Sequence, residues 1–199
     1  MVTATDPTAD PKCSAPIDEL AHRLLSDVTE SPPSWLLATL FPTRQLSVYV
    51  AQLAASIGEL SRESVTCVDG DWRRKDLSKE LGFTGTIGLT EYLCGEQAEI
   101  PVHAARRSQL QIIPAGSTAC AARQLDSKHL HARILRLREL GPLLIAASVD
   151  HDPISRSLYT TASASYLLIP RYRSPAPQAV VAMSTLTRNG ARLRGAIYF

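Results

Sequence analysis

The feature that most constrains the fold of this chain is the alternation of short strand-like runs with segments of helical periodicity. Runs rich in Val, Ile, Leu and Ala occur at residues 35–40, 65–68, 110–113, 143–146, 166–169 and 191–199. Apolar residues at helical spacing predict helices at residues 17–28, 47–60, 89–93, 127–140 and 179–187. Strands that are apolar on both faces are typical of a parallel sheet buried beneath helices on each side. The sequence therefore predicts an α/β fold of three layers, with a mostly parallel central sheet and helices on both faces.

Composition limits the domain organisation and the class of partner. The chain has 199 residues, enough for one sizeable core, and 45% of them are hydrophobic. Residues 1–16 are rich in Thr, Asp, Pro and Ala, so we expect a disordered leader there and a single domain over residues 17–199. A net charge of +2 provides no general attraction to nucleic acid, and we expect no nucleic-acid partner.

The cysteines and the apolar runs indicate the compartment. Cys13, Cys67, Cys94 and Cys120 are far apart and form no C-x-x-C pair, which argues against a zinc site and a disulfide framework. The sequence has neither a signal-peptide pattern nor an apolar run of membrane-spanning length. We therefore expect a cytoplasmic protein with reduced thiols, which reaches a membrane only through a partner.

Two neighbouring segments lead to opposite predictions about nucleotide binding. The run at 65–68 leads into residues 69–73, D-G-D-W-R, which match the D-x-D-x-R pattern of nucleotide sites. Residues 41–47, F-P-T-R-Q-L-S, stand where such a site needs its phosphate-binding loop, and they include no glycine and no lysine. The glycines of such a loop let backbone N–H groups surround the phosphates, and its lysine reaches the terminal phosphate oxygens. The sequence thus predicts an ATPase-like fold that has lost ATPase chemistry.

The order of these motifs resembles that of the bacterial tyrosine autokinases, which are cytoplasmic ATPase-like partners of polysaccharide chain-length regulators. Residues 68–74 are similar to the second Walker A-type motif of this family, which belongs to the wider MinD/ParA-like group of P-loop proteins. Residues 88–96, G-L-T-E-Y-L-C-G-E, follow at the family's spacing, and residues 110–116, L-Q-I-I-P-A-G, are similar to its L-x-V-L-P-A-G segment. The resemblance implies a P-loop-NTPase-like fold from about Trp35 to the C-terminus.

The residues that the family uses for phosphate and magnesium binding are mostly replaced. If residues 52–54, Q-L-A, take the place of the family's Asn-Leu-Ala, the degenerate P-loop consists of Pro42, Thr43, Arg44, Gln45 and Leu46. Thr43 and Gln45 then replace the two loop glycines, and Leu46 replaces the lysine. Only Ser47 remains. Ala146 stands where a family strand ends in the aspartate that orients the magnesium shell.

These replacements predict the loss of phosphoryl transfer. Without the lysine the charge of a triphosphate is unscreened, and the leucine in its place offers no hydrogen bond. The family's tyrosine-rich C-terminal tail is not found either, since the sequence ends at Tyr198-Phe199. We expect no catalytic residue, no metal site and no cofactor, and the alternative is that ATP and Mg²⁺ bind in an unorthodox way.

The residues that persist have two interpretations. By resemblance, Ser47, Asp69, Asp71 and Arg73 are candidate remnants of a nucleotide and magnesium site. The alternative is that the two aspartates and Arg73 cap a turn and form an interface with a neighbouring subunit.

Four charged residues are candidates for that interface: Arg73, Arg74, Glu19 and Arg23. Glu19 and Arg23 hint at the E-x-x-R-x-x-R pattern of the family's oligomerisation helix. The triplet at 73–75, R-R-K, either binds an acidic surface or is solvated.

Two groups of histidines were considered as possible catalytic or metal sites. Residues 150–152, D-H-D, follow a predicted strand, where they act as a general base or metal ligand or simply form a polar surface loop. His129 and His131 are two residues apart on a predicted helix, so they do not face each other and predict no metal site.

Together these observations lead to the expectation of a catalytically degenerate, tyrosine-autokinase-like protein that regulates or scaffolds bacterial exopolysaccharide or capsule synthesis and export. Its expected partner is an inner-membrane polysaccharide chain-length regulator, a true autokinase or a second copy of itself. A divergent ATP-binding tyrosine autokinase is the first alternative. A positioning protein of the MinD/ParA type is the second, and the missing lysine disfavours it.

Overall fold

The computed structural model describes residues 14–40, 43–83, 85, 87–105, 110–117, 127–149, 153–170 and 176–199. Its strands are β1 Ser34–Thr39, β2 Val65–Asp69, β3 His103–Ala104, β4 Leu110–Ile113, β5 Leu143–Ser148, β6 Ala164–Ile169 and β7 Leu193–Tyr198. Its helices are α1 Ser14–Asp27, α2 Arg44–Ser61, α3 Asp76–Glu80, α4 Leu89–Cys94, α5 Ser127–Leu137 with a 3-10 turn Arg138–Leu140, α6 Pro153–Thr161 and α7 Ala176–Arg188. None of the helices in these ranges has the length and apolarity needed to cross a membrane.

The strands form one sheet in the order β3-β4-β2-β5-β1-β6-β7, and every neighbouring pair is parallel except β3 and β4. Strand β5 lies between β1 and β2 in the sheet. The chain therefore crosses the sheet in one direction from β1 to β2 and in the opposite direction from β5 to β6. Ligand crevices of open α/β sheets lie at such points, beyond the carboxyl ends of the strands. The topology therefore directs attention to the ends of β1, β2 and β5.

Alternate residues of each central strand pack on opposite faces of the sheet. In β1, Trp35 and Leu37 belong to a core cluster under α1, α2 and α3, whereas Leu36 and Ala38 belong to a cluster under α4, α5, α6 and α7. The Trp35 indole N–H donates to the Leu24 carbonyl at 3.0 Å, so this large side chain is buried without an unpaired donor. Both faces of the sheet are thus covered, which explains the continuous apolar runs in the sequence.

The predicted fold class is confirmed, including the parallel core strands and a fully buried Leu144. The prediction missed β3, α3 and α6. Strand β3 has two residues and pairs antiparallel at the sheet edge, so it leaves no periodic signal. Helix α3 is a single short turn that follows a left-handed Lys75 (φ 56°). Helix α1 begins at Ser14, so residues 14–16 of the expected leader are helical, and the rest of it lies outside the described residues.

Candidate functional site

A small crevice lies at the carboxyl ends of β1, β2 and β5, beside the first turn of α2. Its volume of about 30 Å³ has room for about two water molecules. The apolar part of its lining consists of Leu37, Leu46, Val50, Leu77, Ala146 and Ala147. The polar part consists of Thr39, Ser47, Asp69, Asp71, Asp76 and Ser148. Three carboxylates and no basic side chain thus line the crevice within the described part of the chain, which favours a cation over an anion.

Asp69 is the last residue of β2, and its carboxylate is buried, with 1% of the residue exposed. One carboxylate oxygen accepts the Asp71 N–H at 3.1 Å. The other accepts the Ser78 N–H at 2.8 Å and the Ser78 hydroxyl at 2.6 Å. Burial raises the pKa of Asp69 to about 6, against the hydrogen bonds from Ser78 and Asp71, which lower it. Asp69 therefore ties α3 to the end of β2 and holds a proton more readily than a surface aspartate.

Asp71 organises the turn that follows β2. Its Oδ1 atom accepts the Arg74 N–H at 3.2 Å, and its carbonyl accepts the Lys75 N–H at 2.8 Å. Its Oδ2 atom accepts the Ser148 hydroxyl at 2.7 Å, which links the turn to the end of β5. This geometry is what the turn-cap interpretation requires. Contact between Asp71 and a nucleotide or magnesium stays a prediction.

Both arginines of the turn contact residues that are close to them in the sequence. The Arg73 guanidinium lies 4.5 Å from the centre of the Trp72 ring, a cation–π contact. The Arg74 Nε atom donates to Asp76 at 3.0 Å, although about half of the Arg74 side chain is exposed. Arg74 thus has an ion-pair partner within the chain, and a role of Arg73 and Arg74 at an interface stays a prediction.

The first turn of α2 occupies the position of the expected phosphate-binding loop. Thr43 is the N-cap, with an extended backbone, and its side-chain oxygen accepts the Leu46 N–H at 3.2 Å. The Thr43 carbonyl also accepts the Leu46 N–H at 3.0 Å and the Ser47 N–H at 3.2 Å. These amide groups are therefore satisfied within the helix start.

The side chains of this turn point in different directions. Leu46 is 6% exposed and packs in the core cluster under α2, and Ser47 is 7% exposed and lines the crevice. Arg44 donates to Glu80 of α3 at 2.9 Å, and Gln45 is exposed. Pro42 lies outside the described residues.

Strand β5 approaches β2 closely at the crevice. Ala146 lies opposite Asp69 in the register, and its carbonyl accepts the Gly70 N–H at 2.7 Å. A Cβ atom on Gly70 would lie 2.8 Å from the Leu158 side chain and 2.9 Å from the Ala146 carbonyl oxygen. Glycine is required at position 70 because no other residue leaves room for this approach.

A second buried carboxylate, Glu91, fixes the loop after β4. Its two oxygens accept the N–H groups of Gly88 and Ser117, each at 2.8 Å, and the Thr90 hydroxyl at 3.1 Å. Burial raises the pKa of Glu91, but the hydrogen bonds from Ser117 and Gly88 outweigh it and hold the pKa below its usual value. Sequence reasoning used this segment only for its resemblance. The signal it overlooked is a glutamate three residues after the N-cap Gly88, the half of a capping box in which the side chain accepts the N-cap N–H.

The loop after β4 is also connected to the crevice. The Ser78 hydroxyl, which donates to Asp69, accepts the Ala115 N–H at 3.0 Å. Gly116 has a positive φ of 88°, and a Cβ atom there would lie 2.1 Å from a Glu91 carboxylate oxygen. The run P-A-G at residues 114–116 therefore packs closely against the two segments that Asp69 and Glu91 hold by hydrogen bonds.

The other predicted site residues lie away from the crevice or outside the described residues. Glu19 and Arg23 form an exposed ion pair with each other at 2.7 Å on α1. Residues 150–152 lie outside the described part of the chain. Within that part, no three His, Cys, Asp or Glu side chains are grouped so as to hold a metal ion.

Comparison with known proteins shows that the fold is shared with bacterial kinase domains. The kinase domain of the Escherichia coli tyrosine kinase ETK superposes with a TM-score of 0.74 at 18% identity, over 91% of this chain and 74% of that one. The VpsO kinase domain superposes with a TM-score of 0.71 at 20% identity, over 93% and 91% of the two chains. Cobyrinic acid a,c-diamide synthase from Mycobacterium smegmatis, solved with ADP and magnesium, gives 0.65 at 16% identity, over 83% and 74%. Neither a protein-family model nor a curated protein matches the sequence.

Proposed function

We propose that this protein is a non-catalytic, kinase-like regulator or scaffold of bacterial exopolysaccharide or capsule synthesis and export. The proposal combines the shared fold of tyrosine kinase domains with the sequence motifs at 68–74, 88–96 and 110–116. It places the protein in the cytoplasm, peripheral to the inner membrane through a partner. That partner is a polysaccharide chain-length regulator, a true autokinase or a second copy of the chain.

The observation that carries the non-catalytic part of the proposal is the first turn of α2. A phosphate-binding loop offers its N–H groups to the phosphates and adds a lysine ammonium. Here Thr43 accepts the N–H groups of Leu46 and Ser47. Leu46, at the position of the lysine, is buried in the core and contributes no charge. A triphosphate would gain little from this turn.

The charge of the crevice supports the same proposal. Asp69 and Asp71 receive hydrogen bonds only from backbone N–H and hydroxyl groups in the described residues, so no basic side chain there compensates their charge. Phosphate oxygens brought next to them would be repelled unless a cation lay between.

Assays of ATP hydrolysis and autophosphorylation test the proposal. We expect both activities to stay at the background level that is measured with protein denatured before the assay. The informative variant is Leu46→Lys combined with Thr43→Gly and Gln45→Gly, which restores the residues of a P-loop. Activity of the unmodified chain, lost on Asp71→Ala, would contradict the proposal.

A divergent ATP-binding autokinase is the second candidate. The observation that favours it is the position of Ser47, Asp69 and Asp71, which all line one crevice, as the residues of a magnesium site would. ATP and Mg²⁺ would be its cofactors. In that case Ser47→Ala would lower the activity of the unmodified chain.

A further inference from the structure

Charge is distributed unevenly along the chain. Residues 153–199 contain six arginines and no aspartate, glutamate or lysine, whereas all 19 acidic residues lie within residues 1–152. The basic segment forms α6 and α7 together with β6 and β7, the two strands at one end of the sheet. Carboxylates that neutralise these arginines therefore come from an earlier part of the chain or from another molecule.

Three of the six arginines lie close to the amino end of β7. Arg192 forms an ion pair with Glu30, which precedes β1. Arg188, the last residue of α7, and Arg194, within β7, are both exposed, and neither forms an ion pair with another described residue. Within the described part of the chain, two guanidinium groups at this end of the strand thus lack a carboxylate.

Strand β7 is an edge strand. It pairs with β6 on one side, and no strand of the described ranges pairs with its other side. Such an edge presents backbone N–H and C=O groups to which another extended segment can hydrogen-bond. The pairing with β6 is irregular only at the amino end of β7, so residues 195–198 continue in regular register. These four residues, G-A-I-Y, include neither a charged side chain nor a proline, the usual protections of an exposed edge.

Exposed apolar side chains lie toward the carboxyl end of the same strand. Tyr198 ends β7 and is 61% exposed, and Val180 and Val181 of α7 are each 65% exposed. Helix α7 leads from the end of β6 back to the start of β7, so its first half lies near the carboxyl ends of both strands. The edge therefore has basic groups at its amino end and apolar groups at its carboxyl end.

We propose that β7 binds an extended acidic segment of a partner protein, which adds to the sheet as a further antiparallel strand. Backbone groups of residues 195–198 form the ladder, and carboxylates of the partner pair with Arg188 and Arg194. Antiparallel pairing is slightly more stable per residue than parallel pairing. In that orientation the apolar residues of the partner segment come first and contact Tyr198, and its acidic residues follow.

The charge of this edge favours an acidic partner over a second copy of the chain. Two copies paired through β7 would bring two arginine-rich segments together, with no carboxylate in either segment, and like charges repel. A membrane surface of anionic lipid offers charge to the arginines but no strand for the backbone of residues 195–198. The inference goes beyond the proposed function and does not depend on it, since no residue of β7 lines the crevice.

Binding of synthetic peptides to the full chain, followed by fluorescence anisotropy, tests the inference. The probe is a fluorescein-labelled peptide V-T-V-T-D-E-D with capped ends, and the charge control is V-T-V-T-K-K-K. Two further peptides carry N-methyl groups on the odd or on the even residues of the probe. Because an added strand uses the N–H groups of alternate residues only, one methylated peptide should bind at least about tenfold more weakly than the probe and the other should not.

The charge control should also bind at least about tenfold more weakly than the probe. The absence of saturable binding of the probe would overturn the proposal. Equal binding of the probe and both methylated peptides would overturn it as well, because the edge would then attract acidic molecules without pairing to their backbone.

Variants locate the arginines that bind the probe. Arg188→Glu combined with Arg194→Glu should weaken binding of the probe at least about tenfold and should strengthen binding of the lysine control. The matched control is Arg156→Glu on α6, which is also exposed and without an ion pair among the described residues, but whose helix packs against α5 and β5. It should leave binding unchanged. An equal loss in this control would refute the assignment to β7.

Hydrogen exchange and two further measurements distinguish other occupants of the edge. The bound probe should slow amide exchange in residues 195–198, and unchanged exchange there would refute strand addition. If phosphatidylglycerol vesicles bind the chain and the probe does not, the edge is a membrane surface and the inference fails. If the chain dimerises and the probe separates the dimer, a second copy is the occupant and the partner assignment fails. Binding of ATP with magnesium would contradict the proposed function alone and leave binding of the probe unchanged.

Discussion

Replacement of Asp69 by asparagine should change how the stability of the protein depends on pH. The folded state raises the pKa of Asp69 from 3.8 to about 6, mainly because the carboxylate is buried. The protonated form is therefore favoured by folding. Its contribution to stability is fully present below about pH 4, is lost as the pH rises through about 6, and is constant above that. The asparagine side chain does not titrate, so the variant lacks this decline.

The expected magnitude follows from the two pKa values. One pKa unit corresponds to about 1.4 kcal/mol, so the interval from 3.8 to about 6 corresponds to about 3 kcal/mol. Part of this is already lost at pH 4, so the free energy of unfolding of the unmodified chain should fall by about 2 kcal/mol, relative to the variant, between pH 4 and pH 7. Loss of hydrogen bonds to Ser78 adds an offset that does not depend on pH.

Urea unfolding of both proteins at a series of pH values measures this difference. The change in the difference with pH is the quantity of interest, because it cancels the titration of all other groups. Glu30, whose pKa changes from 4.5 to about 2 on folding, contributes equally in both proteins and cancels from the difference. Parallel stability curves for the two proteins between pH 4 and pH 7 would refute the argument that burial governs Asp69.

Three other substitutions test separate parts of the structure. Hydrogen bonds from Ser163 and Arg138 lower the pKa of Glu30 to about 2, so its contribution to stability is present above about pH 4.5 and is lost as the pH falls through 2. Glu30→Gln should remove this acid-dependent loss, which is ~1 kcal/mol after solvent screening. Urea unfolding between pH 2 and pH 5 measures it. Gly70→Ala should lower the free energy of unfolding by about 1–3 kcal/mol through overpacking, whereas Gly195→Ala, with no atom within 4 Å of the added Cβ, should change it little. Arg73→Glu with Arg74→Glu should disrupt self-association or co-purification with the partner while the melting temperature stays nearly constant, since the exposed Arg74–Asp76 pair contributes little stability. If assembly survives this charge reversal, the interface lies elsewhere, and the α1 pair Glu19–Arg23 is the next candidate.

Sequence reasoning identified the architecture because the physical signal for it is strong. A strand buried on both faces must be apolar throughout, and the runs that contain Trp35, Val65, Leu144 and Leu167 satisfy this requirement. Strand β3 and helix α3 could not be found in the same way. Each is held by contacts with residues distant in the sequence, such as the pairing of His103 with Ile112, rather than by a local periodicity.

The sequence predicted which carboxylates lie at the candidate site but not which residues donate hydrogen bonds to them. Asp69 and Asp71 were identified from their motif, and both lie at the predicted strand end. Their partners Ser78 and Ser148 were not identified, because a single serine carries no pattern that reveals which distant carboxylate it will contact. For the same reason the role of Glu91 in holding the loop at Ser117 emerged only from the folded chain.

Calorimetric titration of the purified protein with ATP and magnesium tests the central claim most directly. The account predicts no binding at sub-millimolar nucleotide, because Thr43 accepts the N–H groups of Leu46 and Ser47 and Leu46 supplies no charge. Binding with a micromolar dissociation constant that is abolished by Asp71→Ala would contradict it, and would establish the crevice as a working nucleotide site.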